Sequence, residues 1–341
     1  MPTDARPIPA ANFVVRTRRR VQLGPMSIEI RSNETRFSAL RYFAGSSAVE
    51  PTDSIHYTLN FCNLNVDAPW PLEQIEASQD AHYRARRFSA GYYITDHFGT
   101  PAHLFVRKRE YWVFGDNFEL VLWPYFVKLL LTLYSLDRGL LHLKAAAVSV
   151  NGAGTLLIGR GGGGKTVMVA RLCEAGAHFI SNTHTLIDQQ SLIGVPAAMR
   201  VRNDALFGPI IAARRLEANI KPGEYVLNPL TDLQWKSSAT APLRNICLAD
   251  YRGPGVSEIR EISPAVLFDY MDQFSLPLNV YGIKEDLLDH LGGNVNVFAT
   301  HTSGMRNRLR MLTERCKAYH VSCDVNDARQ LHRLRSLLGH Y

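Results

Sequence analysis

The sequence predicts an α/β protein in two parts: a smaller β-rich module over 21–139, then an α/β core over 140–341, behind a short leader over 1–20. Three observations predict it. Short aromatic and β-branched runs alternate with turn residues after Val21. An apolar stretch opened by Pro124 reads as a helix that closes this part. Beyond Leu140, strand, glycine run, helix and strand follow in the order an α/β core requires.

The elements follow from local chemistry. Residues up to about Arg20 show no periodicity and are expected to form a flexible leader. Strands are expected at Tyr57 to Phe61, Gly91 to Ile94, Ala102 to Val106 and Tyr111 to Phe114. Asp96, Gly99, Pro101, Gly115 and Asp116 supply the turns. The Pro124 helix should end near Asp137-Arg138-Gly139. In the core, Ala145 to Val150 and Thr155 to Ile158 flank an Asn151-Gly152 turn. A helix over Val167 to Glu174 stops before Gly176, and His178 to Ser181 is the next strand. Asn245 to Ala249 reads as a buried strand, and Ser263 as the N-cap of a helix from Pro264 to about Phe274. Helices at Lys284 to Leu291, Met305 to Cys316 and Asn326 to Leu338, with a strand at Ala318 to Ser322, complete the reading.

Composition narrows the class. The 341 residues are 46% hydrophobic and 20% charged, enough for a sizeable core. The net charge is +7, but the basic residues are spread out, Arg16 and Arg18 to Arg20 being the nearest to a cluster. Nucleic acid is therefore not an expected partner. Cys62, Cys173, Cys247, Cys316 and Cys323 are odd in number and widely spaced, unlike a disulfide framework. No apolar signal segment opens the chain, and Phe118 to Leu136 is interrupted by Glu119, Pro124 and Lys128. No membrane association and a cytoplasmic location are expected.

The chemistry concentrates in Gly159-Arg160-Gly161-Gly162-Gly163-Gly164-Lys165-Thr166. This fits G-x-x-x-x-G-K-[ST], a P-loop, after an apolar strand and before a helix. Glycines let the backbone curl so that successive N–H groups face phosphate oxygens. The helix adds its positive dipole end, Lys165 a charge at the β/γ-phosphates, Thr166 a hydroxyl for Mg²⁺, and Arg160 a further charge. The expected ligand is a nucleoside triphosphate, ATP or GTP. Gly159, Gly161 and Gly164 also spell the dinucleotide pattern, with Asp188 near the acidic position. The Lys-Thr pair is required by the P-loop and surplus to that alternative.

The stretch from about Leu140 to Asp188 resembles the HPr kinase-like P-loop proteins. The resemblance rests on Lys144 to Val150, the Asn151-Gly152 turn, the P-loop, Ala175-Gly176-Ala177-His178-Phe179-Ile180 and Ser181-Asn182-Thr183. It implies an HPr kinase-like core, Mg²⁺ as cofactor, a peptide or small-metabolite acceptor and a homo-oligomer. The family's paired acids, which hold Mg²⁺ and deprotonate the acceptor, fall on Asn182 and Thr183. The family's His falls on Lys144, and His142 lies two residues earlier with the same strand parity. Asn182 retains a carbonyl oxygen, but neither it nor Thr183 takes a proton at neutral pH.

Two carboxylates can fill the gap. Asn245 to Asp250 has the form of an apolar strand ending in a metal-holding Asp, and Asp188 ends Thr185-Leu186-Ile187. Both positions also suit an ordinary strand-ending turn. The site expected from sequence thus comprises Lys144, Asn182 and Asp250 as catalytic residues, Gly159 to Thr166 on nucleotide, and Thr166 with Asp250 on metal. Arg200, Arg202, Arg214, Arg215 and Arg252 are candidate phosphate-charge stabilisers. Cys316, His320 and Cys323 lack the spacing and fourth ligand of a zinc site, so ordinary structural roles are expected. Tyr92, Tyr93, Tyr111 and Trp112 fit sheet packing better than base stacking. The primary functional expectation is an NTP-dependent phosphotransferase acting on a hydroxyl. The alternative is a non-catalytic nucleotide-binding scaffold or regulator. A third is different chemistry on an activated substrate.

Overall fold

The computed structural model describes residues 10–43, 54–71, 73, 103–115, 118, 121–219, 222–253 and 255–339. It is a mixed α/β protein with an N-terminal β-rich sheet and a larger mixed sheet with helices. The expected strand Gly91 to Ile94, with Asp96, Gly99, Pro101 and Asp116, lies outside the described residues. The chain forms two compact units: Met1–Leu40, Glu50–Tyr134 and Tyr281–Phe298, and Arg41–Val49, Ser135–Val280 and Ala299–Tyr341.

The first unit carries a five-stranded sheet of β1 (Thr17–Leu23), β2 (Met26–Ser32), β3 (Tyr57–Asn63), β4 (His103–Arg107) and β5 (Glu110–Gly115), in the order β1-β2-β3-β5-β4. β1 opens at Thr17, inside the stretch expected to be a flexible leader. Its arginines hide the strand in the sequence because they pair across the ladder, Arg18 with Glu29 (2.7 Å) and Arg20 with Ser27 (3.0 Å). β2 pairs with β3, and β3 with β5, in parallel. Ile28, Ile30, Leu59, Phe61 and Val113 are buried, with Phe61 packed edge-on to Phe126 at 5.9 Å. The expected Pro124 helix is a π-helical turn at Leu122–Val127 running into α1 (Lys128–Asp137).

The second unit is built on a mixed sheet. β6 (Leu141–Lys144), β7 (Ala146–Val150) and β8 (Ala153–Ile158) lead into α2 (Lys165–Glu174), followed by β9 (His178–Ser181), β10 (His184–Asp188) and β11 (Ser191–Gly194). β12 (Met199–Arg202) and β13 (Glu224–Leu227) form a separate ribbon, with α3 (Gly208–Arg214) between them in sequence. β14 (Thr240–Ala249) lies parallel to β8, and later to β16 (Lys317–Val321), which pairs antiparallel with β15 (Ile259–Glu261). β7 separates β8 from β9 and runs antiparallel to both. β8 and β9 therefore point the same way, so α2 makes a crossover over one intervening strand.

Helix starts follow their caps. α4 (Pro264–Phe274) is capped as expected, the Ser263 hydroxyl accepting from the Val266 N–H. After α5 (Lys284–His290), α6 (Val295–Arg315) begins ten residues before the expected Met305. Asn294 caps it by accepting from the Val297 N–H at 3.1 Å, and its first turns are exposed, Val295 and Val297 included, so they carry no core-facing apolar repeat to announce them. α7 (Ala328–Gly339) buries Leu334 and Leu338 in the core that also holds Met168, Leu172, Val148, Leu157, Phe179 and Cys247. Among the described residues no helix is long and apolar enough to cross a membrane.

Candidate phosphate-binding site

Two apolar parallel strands set the geometry of the glycine run. Leu157 lies opposite Cys247 and Ile158 opposite Leu248, so the chain leaves β8 beside Ala249. A Cβ on Gly159 would stand 2.5 Å from the Ala249 carbonyl oxygen, and one on Gly163 would stand 2.8 Å from the same atom. Gly159 also has φ 144°, which side chains rarely adopt. The loop is tied down by Gly163 N–H to Arg160 O (3.2 Å) and Tyr251 N–H to Gly163 O (3.3 Å). The N–H of Met168 bonds Gly164 O at 2.9 Å, and the amides preceding it are those that a helix start leaves open.

This fit makes a prediction. Gly163→Ala should destabilise the protein by about 1–3 kcal/mol, as overpacking does, and displace the loop. Gly161 has open space around it and should tolerate alanine. Denaturant melts of the two variants check the contrast.

The Lys165 ammonium donates to Gly159 O (2.6 Å) and Arg160 O (2.8 Å), curling over the loop. Burial lowers its pKa to about 8, helped by the charge of Lys144. Lys144 ends β6, opposite His184 on β10, and burial together with the Arg200 charge lowers its pKa as well. Lys144 therefore sits within electrostatic reach of both Lys165 and Arg200. His142 is fully buried, its Nε2 3.1 Å from Nδ1 of His184, and burial drops its pKa to about 3. A neutral, enclosed imidazole is a packing element, and Lys144 holds the end of the strand.

Asn182 follows β9, and its carbonyl oxygen lies 3.5 Å from the Thr166 hydroxyl. Its amide donates to the Thr183 hydroxyl at 3.4 Å. Asp250 directly follows β14. Burial would raise the pKa of its carboxyl, but hydrogen bonds from Arg252 (2.9 Å) and His320 (3.2 Å), with their charges, outweigh it and lower the pKa. Arg160 adds a contact at 3.7 Å. Asp188 ends β10 at an exposed turn into β11. It lies five residue steps from Thr183, on the order of 16 Å along an extended strand.

Around the helix start lies a cleft of about 440 Å³ lined by Lys165, Thr166, Arg200, Arg202, Asp204 and Glu224, among others. Of the candidate arginines, Arg200 and Arg202 reach it from β12, Arg202 also facing Glu224 at 3.6 Å. Arg252 is engaged with Asp250, and Arg214 and Arg215 end α3 outside the cleft lining. The sequence did not single out the pairing of His320 with Asp250. Adjacent strands β14 and β16 create it, and their pairing leaves no mark on local spacing. No protein-family model matches the chain, and no curated protein is significantly similar to it.

Proposed function

We propose that the protein is an HPr kinase-like P-loop phosphotransferase that binds a nucleoside triphosphate at Gly159 to Thr166 and transfers its γ-phosphoryl group to a hydroxyl of a peptide or small metabolite. The observation that carries this reading is the glycine run folded over Ala249 at the end of β8, with Lys165 at the start of α2. Loop and helix amides together with Lys165 hold the phosphates. Arg200 and Arg202 supply further positive charge along the cleft, and Lys144 lies within electrostatic reach of Lys165. Phosphoryl transfer depends mainly on positioning and charge stabilisation, so a site without a strong base is slowed without being disabled.

The oxygen donors fit a Mg²⁺ ion held chiefly by the phosphates. Thr166 and Asn182 bring neutral oxygens 3.5 Å apart, while the Asp250 carboxylate is shared with Arg252 and His320. When bound, the ion would neutralise charge on the β- and γ-phosphates. The second reading, a nucleotide-binding regulator without turnover, is favoured by Asn182 and Thr183, neither of which accepts a proton at neutral pH.

Calorimetry with ATP and GTP, with and without Mg²⁺, tests the reading. Binding is expected near neutral pH. The ammonium is the binding-competent form of Lys165, and its pKa in the free protein is about 8. Affinity should therefore fall between pH 7 and 9. Nearby phosphates favour the charged form, so binding at the upper end should take up a proton, visible as a dependence of the heat on buffer ionisation enthalpy. Absence of binding by both nucleotides and their diphosphates overturns the proposal.

A further inference from the structure

The start of α2 faces two clefts of opposite character. One is the cationic cleft described above. The other, about 420 Å³, is lined mainly by apolar side chains, among them Val167, Met168, Leu206, Tyr251 and Val325. Both are bordered by Gly163, Gly164, Val167 and Asp204, so they meet at the glycine run. The volume lies within the range of small-molecule sites.

A nucleotide has the same division. Its phosphates need charge and amides, and its base needs flat apolar surface with a few polar atoms. Tyr251 offers such a surface. It is 40% exposed although its backbone N–H is bonded to Gly163 O. An aromatic ring is thus anchored to the phosphate loop and left open to a ligand. Asp204 supplies the polar end. Its Oδ1 accepts from the N–H groups of Leu206 (2.9 Å) and Phe207 (2.8 Å), which fixes the carboxylate and leaves Oδ2 to accept from ring or exocyclic N–H groups.

We infer that the apolar cleft beside Tyr251 seats the base of a purine nucleotide whose phosphates lie on Gly159 to Thr166, with Tyr251 as stacking platform and Asp204 as hydrogen-bond acceptor. The inference rests on the P-loop reading and adds to it the location of the base and the side chains that hold it. A purine is favoured over a pyrimidine because its larger ring system covers more of the tyrosine face; Asp204 accepts an N–H of either class and fixes the orientation of the base.

The test compares inorganic tripolyphosphate, ATP, GTP and UTP on the full-length protein by calorimetry. At least one purine nucleotide should bind about 5- to 100-fold more tightly than tripolyphosphate, the range expected of a stacked base, and more tightly than UTP. Tyr251→Ala should remove most of that gain while leaving tripolyphosphate affinity unchanged, and Tyr251→Phe should retain it. Leu206→Trp, which fills the cleft, should act like Tyr251→Ala, and intact tripolyphosphate binding will show that each variant is folded. Tripolyphosphate binding as tightly as the purines, UTP equalling them, or Tyr251→Ala weakening all ligands alike would overturn the inference and leave the P-loop reading standing. Failure of every ligand to bind would overturn both.

Discussion

Replacing Lys165 with alanine is expected to weaken triphosphate binding by about 10- to 100-fold. Hydrogen bonds involving a charged group are worth about 1.5–3 kcal/mol, and about 1.4 kcal/mol is a factor of ten in affinity. In the free protein the ammonium donates to Gly159 O and Arg160 O, so it must turn from the loop carbonyls to the phosphates. The variant loses the charge in the cationic cleft and also the brace across the loop. Calorimetry reports the first effect and a thermal melt the second. Unaltered affinity in Lys165→Ala would show that the phosphates bind elsewhere.

The other large effect is expected from restoring acids. General-base assistance is typically worth about 10²- to 10⁴-fold, and Asn182 and Thr183 cannot provide it. Asn182 stands next to the Thr166 hydroxyl, while Lys144, Lys165 and Arg200 supply positive charge nearby to stabilise introduced carboxylates. Asn182→Asp/Thr183→Asp is therefore expected to raise diphosphate release from the triphosphate towards that range, measured with and without candidate acceptors. Brisk wild-type turnover that is lost in Asp250→Asn and indifferent to the restored pair would assign the role to Asp250 instead. Nucleotide binding without turnover in either protein would favour the regulator.

What the sequence made legible was local. The Asn151-Gly152 turn, the glycine run between an apolar strand and a helix, the Ser263 cap and the stop before Gly176 are each written in a few adjacent residues, and each is found in place. Relations between distant segments were hidden. His320 meets Asp250 only because β16 lies beside β14, and Arg200 and Arg202 reach the cleft only because β12 pairs with β13 into a ribbon. The strand from Thr17 escaped notice because its arginines look like a solvated tail until Glu29 and Ser27 are set opposite. The same limit applies to Asp188. Its position after an apolar triplet looks like that of Asp250, and only the pairing of β10 with β11 shows that it ends a strand at an exposed hairpin turn.

The contact of Gly159 and Gly163 with Ala249 O bears on how such a loop can change over time. Both glycines answer to a backbone carbonyl on a neighbouring strand, and that demand persists whether or not a phosphate ever arrives. A descendant with no use for a phosphate ligand would still be penalised for acquiring side chains there. Glycines at 159 and 163 are thus a record of architecture. Thr166 is under no such packing demand, since it is only partly buried at the helix start, whereas Lys165 also braces the loop through Gly159 O and Arg160 O. In a chain drifting away from phosphate chemistry, Thr166 would be free to vary first, so its presence here says more about use than the glycines do.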